Sequence, residues 1–388
     1  MRKMLLLLPS LAAALCLGSV ASGQVVPTDL HDFGRIYGNV DGAYPLHGVV
    51  EAGDGNFYGV TQNGGRYNIG TLHCVTPVGT FTKIYTLNSF SGGVGMGRLI
   101  VGLNGDLYGT TLDSVFRLKL GGQLQVLHRF TGPDGSKLYS GVVQAPDGTL
   151  YGTTRDGGTY NNGTVYKIAP DGTFTSLYSF TGGSDGGFIY GGLCLASDGY
   201  LYGESWGGGA NSTGAIFRIS TSGVESVVHS CDPDSGGYNH DGERPQSDLV
   251  EGADRRLYGV TYHGGIGGAG TAFVMDLDGG FSLLHAFSGA TGSYDGGLPL
   301  SGLIQASDGN LYGTTTYGGT HHVGTIFKMT LTGRLTSLYN FTPDQHLMNG
   351  PTIGPTELFE GSDGNLYGTT IYGGAGGTGM VYRIPLAP

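Results

Sequence analysis

The sequence predicts an all-β fold: a seven-bladed β-propeller of four-stranded antiparallel blades, its ring closed by the mature N-terminal strand completing the last blade. Three observations predict it. A motif recurs seven times at a spacing near 50 residues, no sustained 3.6-residue apolar period follows the first 23 residues, and the two ends read as complementary strands. The recurring motif is LYG (FYG in the first copy), with its tyrosine at Tyr58, Tyr108, Tyr151, Tyr202, Tyr258, Tyr312 and Tyr367. Intervals of 43 to 56 residues fall in the range of kelch-like blades. Without that period, 77 glycines and 15 prolines in 388 residues would approach the composition of a disordered chain.

The clearest copy defines the elements of a blade. GLIQAS (302–307) is an apolar first strand, and DGN (308–310) is a tight turn whose glycine can take positive φ. LYGTT (311–315) is the second strand, followed by a Gly-rich loop. GTIFKM (324–329) alternates as the third strand, and RLTSLYNF (334–341) is the fourth after the short turn TLTG. The last unit stops at its third strand, GMVYRIPLAP (379–388). Residues 28–33, TDLHDF, match the fourth strands TSLYNF and FSLLHAF, so they are expected to complete blade seven and remove a free sheet edge.

Residues 1–23 have a basic start, an apolar run and small residues suited to cleavage, the pattern of a secretory signal peptide. The mature chain, 24–388, is read as one propeller domain, secreted or at the cell surface, and acting as a monomer. It keeps three cysteines, Cys74, Cys194 and Cys231, so disulfides cannot be its main scaffold, although one pair is conceivable. A net charge of -11 with no basic stripe argues against nucleic acid as a partner, and no second apolar run of membrane length follows.

At DGNLYGTT, GT[IV]F[KR] and LTSLY.F the chain resembles the GloVer tandem-repeat family of secreted bacterial proteins, across residues 28–388. The resemblance implies a surface or secreted propeller, often followed by a C-terminal anchoring signal. This chain departs from that pattern by ending directly after a strand. The family carries no agreed activity over to particular residues.

Propeller geometry puts the short first-to-second and third-to-fourth turns on one face. The long second-to-third loops and the blade-to-blade crossings share the other, which is where function is expected. Residue types repeated in every blade are read as structural. The Asp-Gly pairs at Asp41, Asp134, Asp185, Asp241 and Asp295 recur in the crossings, where Asp can bond its own turn. A calcium role is the lesser reading, because the ligand-dense spacing of a calcium loop is absent. His31, His128, His229 and His285 occupy the fourth-strand slot of Tyr85, Tyr178 and Tyr339, and His73 occupies that of Phe327, so these five are packing residues. His47, His240, His263, His321, His322 and His346 remain, and without HExxH or Cys-His spacing they are read as solvated loop histidines rather than a zinc site. No cofactor or metal is expected. Tyr67, Tyr160, Tyr190, Tyr238, Tyr262, Tyr294, Tyr317 and Tyr372 are the loop tyrosines.

Blade four departs most from the repeat. LYGESWGGG (201–209) carries Glu204, Ser205 and Trp206, the one tryptophan of the chain. The crossing that follows is the longest and holds Tyr238, His240, Glu243 and Arg244, and blade five adds Tyr262 and His263. An aromatic platform flanked by carboxylate, guanidinium and imidazole suits a sugar ring; drift of one repeat's loops explains the same residues. GESWG (203–207) matches a nucleophile-elbow pattern, but that motif needs a strand-turn-helix in an α/β sheet, and its glycines belong to the repeat.

Two functions follow. One is a non-catalytic binding module for glycan or a protein partner on the loop-rich face. The other is a polysaccharide-active enzyme: a lyase with Arg244 neutralising a carboxylate and His240, His263 or Tyr238 moving the proton, or a glycoside hydrolase using Glu204 and Glu243.

Overall fold

In the computed structural model, which describes residues 25–34, 38–232, 241–289, 295–343 and 354–386, the seven units form seven antiparallel sheets arranged as a β-propeller. The segment read as a signal peptide lies outside the described residues. Blade one is Val50–Glu51, Phe57–Val60, Thr71–Val75 and Phe81–Thr86, each strand bonded to the next. The other blades repeat this order, and blade five gains a short fifth strand, Glu243–Pro245, beside Leu257–His263. Among the described residues no helix is long and apolar enough to cross a membrane.

Two contacts made by the repeated motif build the blades. The turn aspartate accepts a hydrogen bond from the tyrosine hydroxyl four residues later: Tyr58 to Asp54 at 2.6 Å, Tyr258 to Asp254 at 2.7 Å, Tyr312 to Asp308 and Tyr367 to Asp363 at 2.8 Å. A buried tyrosine thereby keeps its polar tip satisfied. The glycine after it makes room within the blade. A Cβ on Gly313 would lie 2.6 Å from the ring of Phe327, its cross-strand partner, and one on Gly203 would lie 2.5 Å from Phe217. The third-strand aromatic lies over that vacant position.

The apolar cores sit between neighbouring blades. Tyr58, Val60, Leu72 and Leu87 of blade one pack with Leu99, Leu107, Phe116 and Leu118 of blade two. On the short-turn face, the residue ending a first strand caps the preceding blade's turn: Ser362 N donates to Glu51 Oε2 (2.6 Å), Ser307 N to Glu360 (2.8 Å), Ser197 N to Glu251 (2.8 Å) and Leu103 N to Gln144 (2.8 Å). First strands are two residues long, Ile304–Gln305 where 302–307 was expected. The flanking Gly302 is drawn against the neighbouring crossing, where a Cβ would meet Asp248 O at 2.4 Å.

Closure follows the expected route. Thr28–Asp32 pairs antiparallel with Met380–Pro385, from Thr28↔Arg383 to Asp32↔Met380, and Phe33 N donates to Gly379 O at 2.9 Å. Phe33 is fully buried with Val49, Phe57, Val75, Tyr367 and Val381, joining blades seven and one. Cys74, Cys194 and Cys231 are all free. The packing histidines are placed as expected: His128 stacks on Phe174 at 3.6 Å and bonds Asp134 at 2.8 Å, and His285 bonds Asp295 at 2.7 Å. His73 is fully buried in the aromatic slot with no partner for either ring nitrogen, and burial, aided by His31, pulls its pKa down to about 3.

Two outcomes follow. Deleting residues 25–33 lowers the melting temperature by many degrees in a thermal melt, and Phe33→Ala alone costs about 3–5 kcal/mol in a denaturant titration; an unchanged melt removes the closure. Because His73 is neutral when folded and charges when unfolded, the unfolded state takes up its proton first as pH falls from 6.5 towards about 3. Wild type therefore loses about 1.4 kcal/mol per pH unit across that window relative to His73→Phe, checked by paired melts at pH 7 and 4.5.

Candidate functional site

The crossing face is held rigid by buried hydroxyls. The last threonine of LYGTT and the first of the third strand bond one another at 2.8–2.9 Å in Thr61–Thr71, Thr154–Thr164, Thr261–Thr271 and Thr315–Thr325. The second of each pair donates onward to the crossing aspartate's carbonyl, as Thr71 to Asp41 O at 3.0 Å and Thr271 to Asp241 O at 3.1 Å. The Asp-Gly pairs are thus anchored as turns, and among the described residues no group of three or more His, Cys, Asp or Glu is placed to hold a metal ion.

Two residues after each Asp-Gly glycine, the backbone turns left-handed at a residue that is not glycine: Tyr44 (φ 55°), Lys137 (56°), Phe188 (56°), Arg244 (54°) and Leu298 (52°). For side chains of this size the conformation costs of order 1 kcal/mol. It is held by bonds to both sides. Phe188 N donates to Asn162 O of the preceding blade at 2.8 Å, Arg244 N to Thr213 O at 2.9 Å and Tyr44 N to Thr378 O at 2.7 Å. The Lys137 carbonyl accepts from Arg155 N at 3.0 Å and that of Tyr44 from Gln62 N at 3.0 Å.

The crossings then converge on the axis. Two residues before the one that pairs with each LYG tyrosine stand Gly48, Arg98, Gly141, Gly192, Asp248, Gly302 and Glu357. Four are glycine and three are charged, and a glycine follows each charged residue in the next blade. A Cβ on Gly48 would meet Glu357 O at 2.5 Å, one on Gly141 would meet Arg98 O at 2.5 Å, and one on Gly302 would meet Asp248 O at 2.4 Å. Seven positions cannot alternate, so Gly141 and Gly192 are consecutive. Arg98 and Asp248, on either side of them, form an ion pair at 3.3 Å, and Gly192 N donates to Asp248 Oδ1 at 2.5 Å.

Arg98, Asp248, Gly302 and Glu357 line a cavity of ≈ 310 Å³ at the axial mouth of the crossing face. His47 forms one wall, with Nδ1 2.9 Å from Glu357 Oε1 and Nε2 3.1 Å from Tyr139 O. The expectation of a solvated loop histidine is therefore corrected at His47. Burial acts to lower its pKa and is outweighed by the Glu357 carboxylate, so it stands raised; burial acts to raise Glu357 and is outweighed by His47, so it stands lowered. His321 and His322 are exposed, as expected of loop histidines.

From the cavity an aromatic line runs outward through blades three and four. Tyr139 and Tyr190 line the cavity, 5.3 Å apart between ring centroids, and Tyr190 lies 6.3 Å from Trp206. Arg155 sits 4.9 Å over Tyr190, and Arg244 sits 4.6 Å over Trp206. Guanidinium on ring holds each aromatic in place and presents N–H donors beside it.

Of the expected site residues, Trp206, Glu243, Arg244, Tyr262 and His263 are brought to one sector. Glu243 pairs with His263 across adjacent strands, and the Tyr262 and His263 rings meet edge to face at 4.5 Å. His263 is lowered, by burial first and then by Arg244. Tyr238 and His240 lie outside the described residues. Glu204 separates from the group: it is fully buried in the position of Thr153 and Thr314, accepting from Ser247 N (2.8 Å) and Ser247 Oγ (3.2 Å), with Oε1 unpartnered. Burial raises its pKa well above the usual carboxyl range. A carboxyl sealed beneath Ser247 does not reach a glycosidic oxygen, so Glu204 is unavailable as the acid partner of Glu243.

The residues missed from the sequence are Arg98, Tyr139, Asp248 and Glu357 with His47. For Arg98, Asp248 and Glu357 the signal is departure from glycine just before a first strand, visible once the strands are in register.

A seven-bladed ring with short turns on one face, and a charged axial cavity and aromatic sector on the other, defines a repeat-built β-propeller. The chain belongs to the Gloeobacter/Verrucomicrobia repeat family, whose model matches residues 112–297 and 239–388. No curated protein matches it. Among solved structures it is similar to a suggested 6-phosphogluconolactonase from Bacteroides uniformis, at 15% identity and a TM-score of 0.52 over 84% of this chain and 95% of that one. It is also similar to PorZ, a surface component of the type-IX secretion system of Porphyromonas gingivalis, at 12% identity and 0.53 over 88% of this chain and 46% of PorZ. A gluconolactonase of Xanthomonas campestris aligns at 15% identity and 0.46, over 78% and 96%. At these identities the likeness is one of fold.

Glu204 supplies a test of the buried assignment. A carboxyl with a raised folded pKa contributes stability below its unfolded value near 4.5 and loses it as pH rises. Glu204→Gln should therefore gain stability relative to wild type as pH rises above 4.5; parallel melting curves would return Glu204 to the surface.

Proposed function

We propose that the protein is an exported, non-catalytic binding propeller that takes a glycan on its crossing face. The observation that carries this reading is the aromatic line Trp206–Tyr190–Tyr139, with Arg244 and Arg155 seated on its outer rings. The C–H face of a sugar ring packs on an aromatic, and its hydroxyls take hydrogen bonds from donors in fixed positions beside that ring. Tyr67 and Tyr160 stand exposed on second-to-third loops of the same face. Export rests on the reading of residues 1–23 as a signal peptide.

Trp206 is the single tryptophan, so intrinsic fluorescence reports this sector without a label. Titration with a bound glycan should shift its emission saturably, and Trp206→Ala should weaken binding about tenfold, the size of one aromatic stacking contact. A glycan array with no bound ligand, or wild-type affinity in Trp206→Ala, would overturn the proposal.

A further inference from the structure

We propose that the axial cavity is an end-recognition subsite that accepts one neutral sugar ring, the rest of the chain leaving over Tyr190 and Trp206. This rests on the glycan reading and adds to it a ligand class, a direction and a separate set of residues.

Size limits the occupant first. At ≈ 310 Å³ the cavity stands at the lower end of small-ligand pockets, which run from roughly 300 to 1,000 Å³. One ring with its substituents fits this space, whereas a continuous polymer needs an open groove. Charge limits it next. The walls carry two pairs of polar groups already matched, Arg98 with Asp248 at 3.3 Å and His47 hydrogen-bonded to Glu357 at 2.9 Å. A ligand of either net charge would have to break a pair and leave its partner uncompensated in a partly desolvated site. A hydroxyl group, in contrast, donates to the carboxylate and accepts from the guanidinium, so adjacent hydroxyls can bridge Asp248 and Arg98 without separating them. Arg98 and Asp248 keep 39% and 30% of their side chains accessible, enough to meet such a ligand.

Direction comes from the ring of axial positions. Gly141 and Gly192 put no side chain between Arg98 and Asp248, and the tyrosines two residues earlier, Tyr139 and Tyr190, line the cavity on that side. Tyr190 belongs both to the cavity and to the aromatic line that leads to Trp206. A ring seated between the two pairs thus has a continuous apolar exit through blades three and four.

The test is isothermal titration of the full chain with D-glucose, D-galactose, D-mannose and D-glucuronate, and with cellohexaose, maltohexaose and mannohexaose, Trp206 emission being followed in parallel. The expected result is that one hexasaccharide and its own monosaccharide bind and compete. The monosaccharide should leave Trp206 emission unchanged while the hexasaccharide shifts it. Asp248→Asn should weaken monosaccharide binding at least tenfold, and so should Ser301→Met, which fills the cavity without removing either pair; their melting curves check that both fold. Hexasaccharide binding that needs Trp206, yet is indifferent to both cavity variants and to monosaccharide, overturns end recognition and leaves the glycan reading standing. Tighter binding of D-glucuronate than of every neutral sugar overturns the neutral class, and failure of every sugar to bind overturns both readings.

Discussion

The close approach of adjacent crossings at the axis is the constraint on which the rest of the molecule depends. Carbonyl oxygens of Glu357, Arg98 and Asp248 lie where a Cβ on Gly48, Gly141 or Gly302 would stand 2.4 to 2.5 Å away, so glycine alone fits beside each. Backbones this close leave no space for large side chains at every position, and charge enters the axis only where the next blade gives way. An odd number of blades then forces two consecutive glycines. The asymmetric cavity is a consequence of packing seven near-identical units, and the aromatic line starts at the place where the alternation fails.

Away from the axis, the same economy of repeated contacts makes the face a firm platform. In four blades paired threonine hydroxyls tie the second-to-third loop to a crossing aspartate, and that aspartate in turn bonds the fourth-strand histidine, as Asp134, held by Thr164, does with His128 at 2.8 Å. These groups are largely buried and mutually satisfied, so they add order more than attraction. A binding surface mounted on them loses little conformational freedom when occupied.

Much of this was legible in the sequence because it is written seven times. The blade count, strand order, closing strand and the packing histidines follow from registering repeats, and Trp206 and Arg244 stood out because their copies deviate. Glu204 deviated too, but sequence does not distinguish a departure that faces outward from one that faces the next blade; its threonine counterparts, Thr153 bonding Gly191 O and Thr314 bonding Thr356 O, already show that the slot points inward. Asp248 and Glu357 were hidden for a different reason. They precede strands only two residues long, too short for periodicity to set a register, and their meaning lies in contacts across the ring, such as Arg98 to Asp248, between residues 150 positions apart.

The left-handed residues Tyr44, Lys137, Phe188, Arg244 and Leu298 carry a last implication. An aromatic, two cations, a phenol and an aliphatic chain occupy one backbone geometry, held by main-chain bonds that are indifferent to what the side chain is. The scaffold therefore offers five interchangeable sockets around its rim, and a graft at any of them rewrites what the face presents while the ring beneath stays as it is. Such a surface can be reprogrammed one blade at a time.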